Sequence, residues 1–180
     1  MEQKSDWSVE LDRSVLGKHE LSDVLIACHE AAHAVVAEEL CLPMKSVRIY
    51  DDRRHRGGEC RYLDPEARIN KLQSSIVVSL AGPAFEKLLY LGFWVAENDE
   101  LSDGGPTDTE QAREMAKVRL ECIPGVGTVD EQIARLLLIA RDIVIQNWNL
   151  IIALGRELAV ARRISGKELR QFIAEYWRAR

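Results

Sequence analysis

IACHEAAHAVVAEELCLP, residues Ile26 to Pro43, is the stretch on which the reading of this chain turns. Its apolar residues keep a helical period. Ser22 or Asp23 offers an N-cap, the helix runs to about Leu40, and Pro43 closes it. On such a helix His29 and His33 lie one turn apart and point the same way, so both imidazoles reach one small cation. Zinc accepts neutral imidazole at about 2.0–2.1 Å and, in a catalytic site, keeps one position open for water. Glu30 sits one residue round the helix, beside that position, where a carboxylate acts as general base. The competing reading is structural: Leu25, Val36 and Leu40 share the stripe, which makes the histidines two packed residues on an apolar face. The extended motif H-E-x-x-H-x-x-G-x-x-H needs glycine at Val36 and histidine at Glu39, and neither is present. A third ligand must come from elsewhere.

Outward from this helix, KSVRIYDDRRHRGGECRYL reads as a β-hairpin. Val47 and Ile49 alternate with polar residues, as do Cys60 and Tyr62 beyond a charged tip. Asp64 and Pro65 start a helix through SSIVVSLAGPAFEKLLYLG to Gly92, with Pro83 expected to kink it. After the acidic, glycine-containing AENDELSDGGPT comes a short amphipathic helix, DTEQAREMAKVRL, and then a break at IPGVG. Thr128 and Glu131 form a capping box for a long helix towards Arg163, and Ser165 and Glu168 repeat the device for the last one. Residues 1–19 read as a flexible N-terminal arm. Residues 20–180 read as a single domain, mainly α with a small antiparallel β-hairpin or sheet.

Bulk properties narrow the function. The 180 residues are 47% hydrophobic and 29% charged, enough for one real core. A net charge of -5 gives no general attraction to nucleic acid or anionic membrane. The charged N-terminus is no signal peptide. The longest apolar region, LLLIARDIVIQNWNLIIALG, is interrupted by Arg141, Asp142, Gln146 and Asn147, so no membrane span is expected and the chain reads as cytoplasmic. Cys28, Cys41, Cys60 and Cys122 make no C-x-x-C pair and read as reduced, packed thiols. Cys28 projects about 100° away from His29 around the helix, which argues against it as a ligand. His55, in a mixed-charge hairpin tip, and His19, in the arm, are weak candidates for the third ligand. That leaves a carboxylate from a later helix: Glu86, Asp108, Glu110 or Glu114.

Several segments, in order, resemble the peptidase domain of the FtsH family of ATP-dependent zinc metalloproteases. The family's H-E-A-G-H-A is similar to His29-Glu30-Ala31-Ala32-His33-Ala34, and a strand pair follows in both. Its L-A-G-x-A-A-E resembles Leu80-Ala81-Gly82-Pro83-Ala84-Phe85-Glu86. Its S-x-G-A-x-N-D-L-x-x-A aligns with SDGGPTDTEQA, placing Ser102, Gly104, Asp108 and Ala112 in register. Its C-terminal leucine-rich helix and T-L-x-G-x-E-[IL] resemble LGRELAVARRISGKELRQFI. The resemblance spans about residues 22–175. It implies a helical zincin fold, a Zn2+ cofactor, and Asp108 as third ligand beside His29 and His33; the alternative for Asp108 is a carboxylate at a helix N-terminus. Glu86 is a candidate to orient a ligand histidine, with a surface or N-cap contact as its alternative.

Departures from the family pattern are specific. Ala32 replaces a glycine, Pro83 a usually basic residue, and Thr107 and Thr109 flank the aspartate. These 180 residues contain no G-x-x-x-x-G-K-[ST], so neither the family's ATPase module nor its membrane anchor is expected here. The expected activity is therefore a zinc-dependent metalloendopeptidase, with Glu30 as base, acting on peptides or unfolded proteins. One hairpin strand, Lys45–Tyr50 or Gly58–Leu63, would offer an edge for an extended substrate. A separate ATPase or adaptor, or an oligomer, is compatible with this expectation. The alternative is a zinc-binding regulatory or interaction module with little or no proteolysis.

Overall fold

The computed structural model describes residues 18–51, 56–64, 66, 71–91, 108–123, 125 and 127–179. Helix α1 (Lys18–Glu39) is the axis of the fold. Ala27, Ala31, Ala32, Ala34, Val35, Val36 and Ala37 are all buried, so α1 is covered on most sides by elements that its small side chains let approach. The methyl group of Ala32 is fully accommodated. The helix begins earlier than Ser22 or Asp23, which lie inside it rather than capping it. Asp23 pairs instead with Arg162, at 2.6 Å. Of the predicted arm, residues 1–17 lie outside the described residues, and residues 18 and 19 are already helical. At the other end Cys41 adopts a left-handed φ of 55°. Leu42 N–H donates to the Ala37 carbonyl and Cys41 N–H to that of Glu38, a Schellman closure made one residue before Pro43.

The hairpin consists of β1 (Met44–Asp51) and β2 (Arg56–Tyr62), paired antiparallel with Val47 opposite Cys60 and Ile49 opposite Gly58. A third strand, β3 (Arg163–Ser165), joins the other side of β1, giving the order β2-β1-β3. Three residues are too few to show an alternating pattern, and β3 is formed because buried Ile164 pairs opposite Val47. This narrows one expectation: of the two hairpin strands, the one containing Lys45–Tyr50 is central, paired on both sides, and β2 lies at an edge of the sheet.

Two helices predicted as continuous are each broken. The first divides at Leu80 into α2 (Leu72–Ser79) and α3 (Ala81–Leu91). Pro83, early in α3, lacks the N–H that would bond the Ser79 carbonyl, and its ring crowds that carbonyl, so the break falls ahead of the proline rather than at it. Asp64 accepts from the Glu66 N–H at 2.9 Å, as a cap should, but Pro65 and residues 67–70 lie outside the described residues. The second divides at Asn147 into α5 (Val129–Gln146) and α6 (Trp148–Ala161), bent by 78°. Both the backbone N–H and the side-chain amide of Asn147 donate to the Ile143 carbonyl, a local competition that ends α5. Between α3 and α5 lies α4 (Asp108–Cys122), and α7 (Gly166–Arg178) ends the fold. Both predicted capping boxes are present, at Thr128 and Ser165.

The core is one cluster in which α6 packs along α1, and α2, α3 and α5 also lie against α1. A Cβ at Gly155 would stand 2.8 Å from Cys28 Cα, so only glycine lets α6 lie this close to α1. Phe85 stacks on Trp148 at 4.9 Å. Fully buried Ile76, Phe85, Leu136, Ile151 and Leu158 each contribute roughly 1.5–3 kcal/mol relative to exposure. No single helix among the described residues is long and apolar enough to cross a membrane. Cys28 is buried and Cys60 half-buried, but Cys41 and Cys122 are exposed, which corrects the expectation that all four thiols are packed.

Candidate metal centre

Residues from four helices meet beside the middle of α1. The ring nitrogens His29 Nε2 and His33 Nε2 are 3.0 Å apart, as two histidines four residues apart on a helix can be. Asp108, the first residue of α4, brings Oδ2 to 2.8 Å from His29 Nε2 and 3.2 Å from His33 Nε2. The other nitrogen of each ring is committed elsewhere. His33 Nδ1 donates to the Val78 carbonyl at 2.6 Å, and His29 Nδ1 lies 2.7 Å from Glu86 Oε1 on α3. These partners fix the ring planes and leave both Nε2 atoms facing Asp108.

Two imidazole nitrogens and a carboxylate oxygen, all within 4.8 Å of one another, form a group that could hold a metal ion. The surroundings fit such a group. Gly82, in the first turn of α3, faces it without a side chain, and a Cβ there would lie 2.6 Å from His33 Nε2 and closer still to His29 Nε2. Charge follows the same geometry. Burial lowers the pKa of His29, but hydrogen bonds to Asp108 and then Glu86 outweigh it and push the ring up to about 10. Burial would raise the pKa of Asp108, but hydrogen bonds from His29 and His33 hold it well below the usual carboxylate range. The two carboxylates thus favour the protonated form of His29.

Glu30 is buried next to this group. Burial pushes its carboxyl pKa up, against the opposing pull of His33 and His29. It lies under β2: a Cβ at Gly58 would come within 2.6 Å of Glu30 Oε1, so the side chain occupies the space that glycine leaves. Cys60, two residues along the same face of the strand, donates to the Glu30 backbone carbonyl at 3.3 Å. Burial, with the Glu30 carboxyl adding to it, holds the Cys60 thiol well above its ordinary pKa, so it stays protonated. A cavity of about 170 Å³ opens here between Glu30, His33, Asp108, β2 and α2, with Met44, Tyr62 and Gln111 in its wall.

The structure thus brings His29, Glu30, His33, Asp108 and Glu86 together. Glu110 and Glu114 are exposed on α4, with Glu114 paired to Lys117, and neither joins the group. His55 and the side chain of His19 lie outside the described residues. Cys28 faces α6 across Gly155, and burial pushes its pKa up to about 12. Sequence reasoning missed the Val78 carbonyl, which no side chain announces, and the space-giving roles of Gly58 and Gly82. A glycine early in a helix and a glycine pair in a strand were the available signals for the latter two. Comparison with models of known protein families gives no match, and a search of curated proteins gives none.

Proposed function

We propose that this chain is a zinc-dependent metalloendopeptidase with a site of the FtsH-peptidase kind. The observation that carries this reading is the convergence of His29, His33 and Asp108 beside a buried glutamate and an open cavity. His29, His33 and Asp108 hold the zinc, and Glu86 and the Val78 carbonyl hold the two rings in the tautomer that leaves Nε2 free. Bound zinc supplies Lewis acidity at a carbonyl oxygen and lowers the pKa of water. Glu30 takes a proton from the attacking water and returns it to the departing amine nitrogen, so the peptide bond is exchanged for a carboxylic acid and an amine. Burial, which raises the Glu30 carboxyl pKa, makes it a stronger base than an exposed glutamate.

An extended peptide pairs with the free edge of β2, whose inner face carries Gly58 and Cys60 beside Glu30. Such an edge admits peptides and unfolded segments; folded proteins require a separate ATPase or adaptor. The decisive experiment measures zinc content and cleavage of unfolded casein by the wild type and Glu30→Gln. The expected result is zinc bound by both and cleavage by the wild type alone. A zinc-loaded wild type that does not cleave supports a metal-binding regulatory module instead. Absence of zinc after reconstitution sinks both readings.

A further inference from the structure

We infer that Arg119 is a positioning residue for Asp108: its guanidinium fork fixes the register of α4 and so sets where that carboxylate meets the two histidines. The inference rests on the metal-site reading above. Helix α4 fully buries Ala112, Ala116 and Arg119 along one stripe, with Met115 half-buried against the core beside them. Two alanine methyls and one flexible methionine locate a helix poorly along its neighbours. Direction comes from Arg119, whose Nη1 donates to Gln132 Oε1 on α5 at 2.7 Å and whose Nη2 donates to Gln73 Oε1 on α2 at 2.9 Å. The Arg113–Asp130 pair also links α4 to α5, but it is exposed and solvent-screened.

As a source of stability the cluster is poor. Arg119 is buried with neutral partners, and the buried Gln132 Nε2 has no hydrogen-bond partner among the described residues. Apolar residues of similar volume would pack there without an orphaned donor. What they would lack is a planar fork that fixes two helices at once. One of those helices, α2, also supplies the Val78 carbonyl that holds His33. Arg119 thus ties the helix carrying Asp108 to the helix that orients a histidine. Asp108 lies eleven residues away on the same rod, about 16 Å, and a one-residue slip would turn it about 100° from the site.

The test is a double-mutant cycle on zinc affinity, read by competition with a chromophoric chelator. R119M and R119K are compared in the full chain with Asp108 present and with D108A. R119M should weaken zinc binding about 10–100-fold when Asp108 is present and have no further effect in D108A. R119K, with no fork, should also weaken it. The double variant R119M/Q132L replaces the cluster with apolar side chains; it should unfold no more readily than wild type yet still bind zinc more weakly. Equal losses with and without Asp108, or none, overturn the inference. If the wild type binds no zinc, the metal reading falls by itself, and nitrogen NMR of the metal-free chain decides on Arg119. R119M/Q132L should then shift the His29 ring signals that report the bond to Asp108, and an unchanged spectrum overturns the inference.

Discussion

Gly82 and Gly58 each leave room for one half of the proposed chemistry, and alanine at either position separates the halves. At Gly82 a Cβ would enter the space shared by the two histidine Nε2 atoms. Alanine is nevertheless the better helix former by about 1 kcal/mol, so Gly82→Ala should leave thermal unfolding near wild type while zinc content collapses. Metal analysis beside a melting curve checks this, and full zinc occupancy in the variant would contradict the placement of the site. At Gly58 the Cβ would displace Glu30, 2.5 Å from its Cδ, and leave the ligands alone. Gly58→Ala should therefore keep its zinc and lose about 10²–10⁴-fold in casein cleavage, the range expected when a general base is moved. Loss of zinc in this variant would mean that Glu30 and the ligands do not act separately.

Elements announced by local chemistry were legible, and those made by tertiary contact were not. The two capping boxes need only residues three apart, and both formed where serine or threonine precedes glutamate by that spacing. The hairpin needs only alternation. Strand β3 depends on a central strand more than a hundred residues earlier, and the bend at Asn147 depends on one side-chain amide reaching back to Ile143. Neither leaves a periodic trace. The Ser165 cap joins the legible and illegible parts, because it ends β3 and starts α7. Its hydroxyl accepts from the Glu168 N–H while Glu168 accepts from the Ser165 N–H. Ser165→Ala should lower the unfolding free energy by about 1 kcal/mol in a denaturant titration. Zinc affinity should not change, since neither β3 nor α7 supplies a group to the site. A change in zinc affinity would mean that β3 holds β1, and through it β2, in place over Glu30.

At the scale of the whole molecule, half of the site was local and half was not. His29, Glu30 and His33 follow from helical spacing. Asp108 stands 75 residues after His33, and among the later carboxylates spacing alone could not choose it. A resemblance singled it out, and the fold brings it to the histidines by laying α4 against α2. The same separation makes the site a mechanical link, because a metal held by α1 and α4 closes the long segment between them. In the metal-free chain that link depends on the His29–Asp108 hydrogen bond, which is partly open to solvent at Asp108. Zinc should therefore raise the melting temperature in proportion to the logarithm of its free concentration, with a stabilisation of about 2.7 kcal/mol at a hundred times the dissociation constant. Asp108→Ala should weaken zinc binding and so displace that dependence to higher zinc concentration. Scanning calorimetry across a zinc series on both proteins measures the difference. Curves that coincide would mean that Asp108 does not hold the metal and that the metal does not tie α4 to α1.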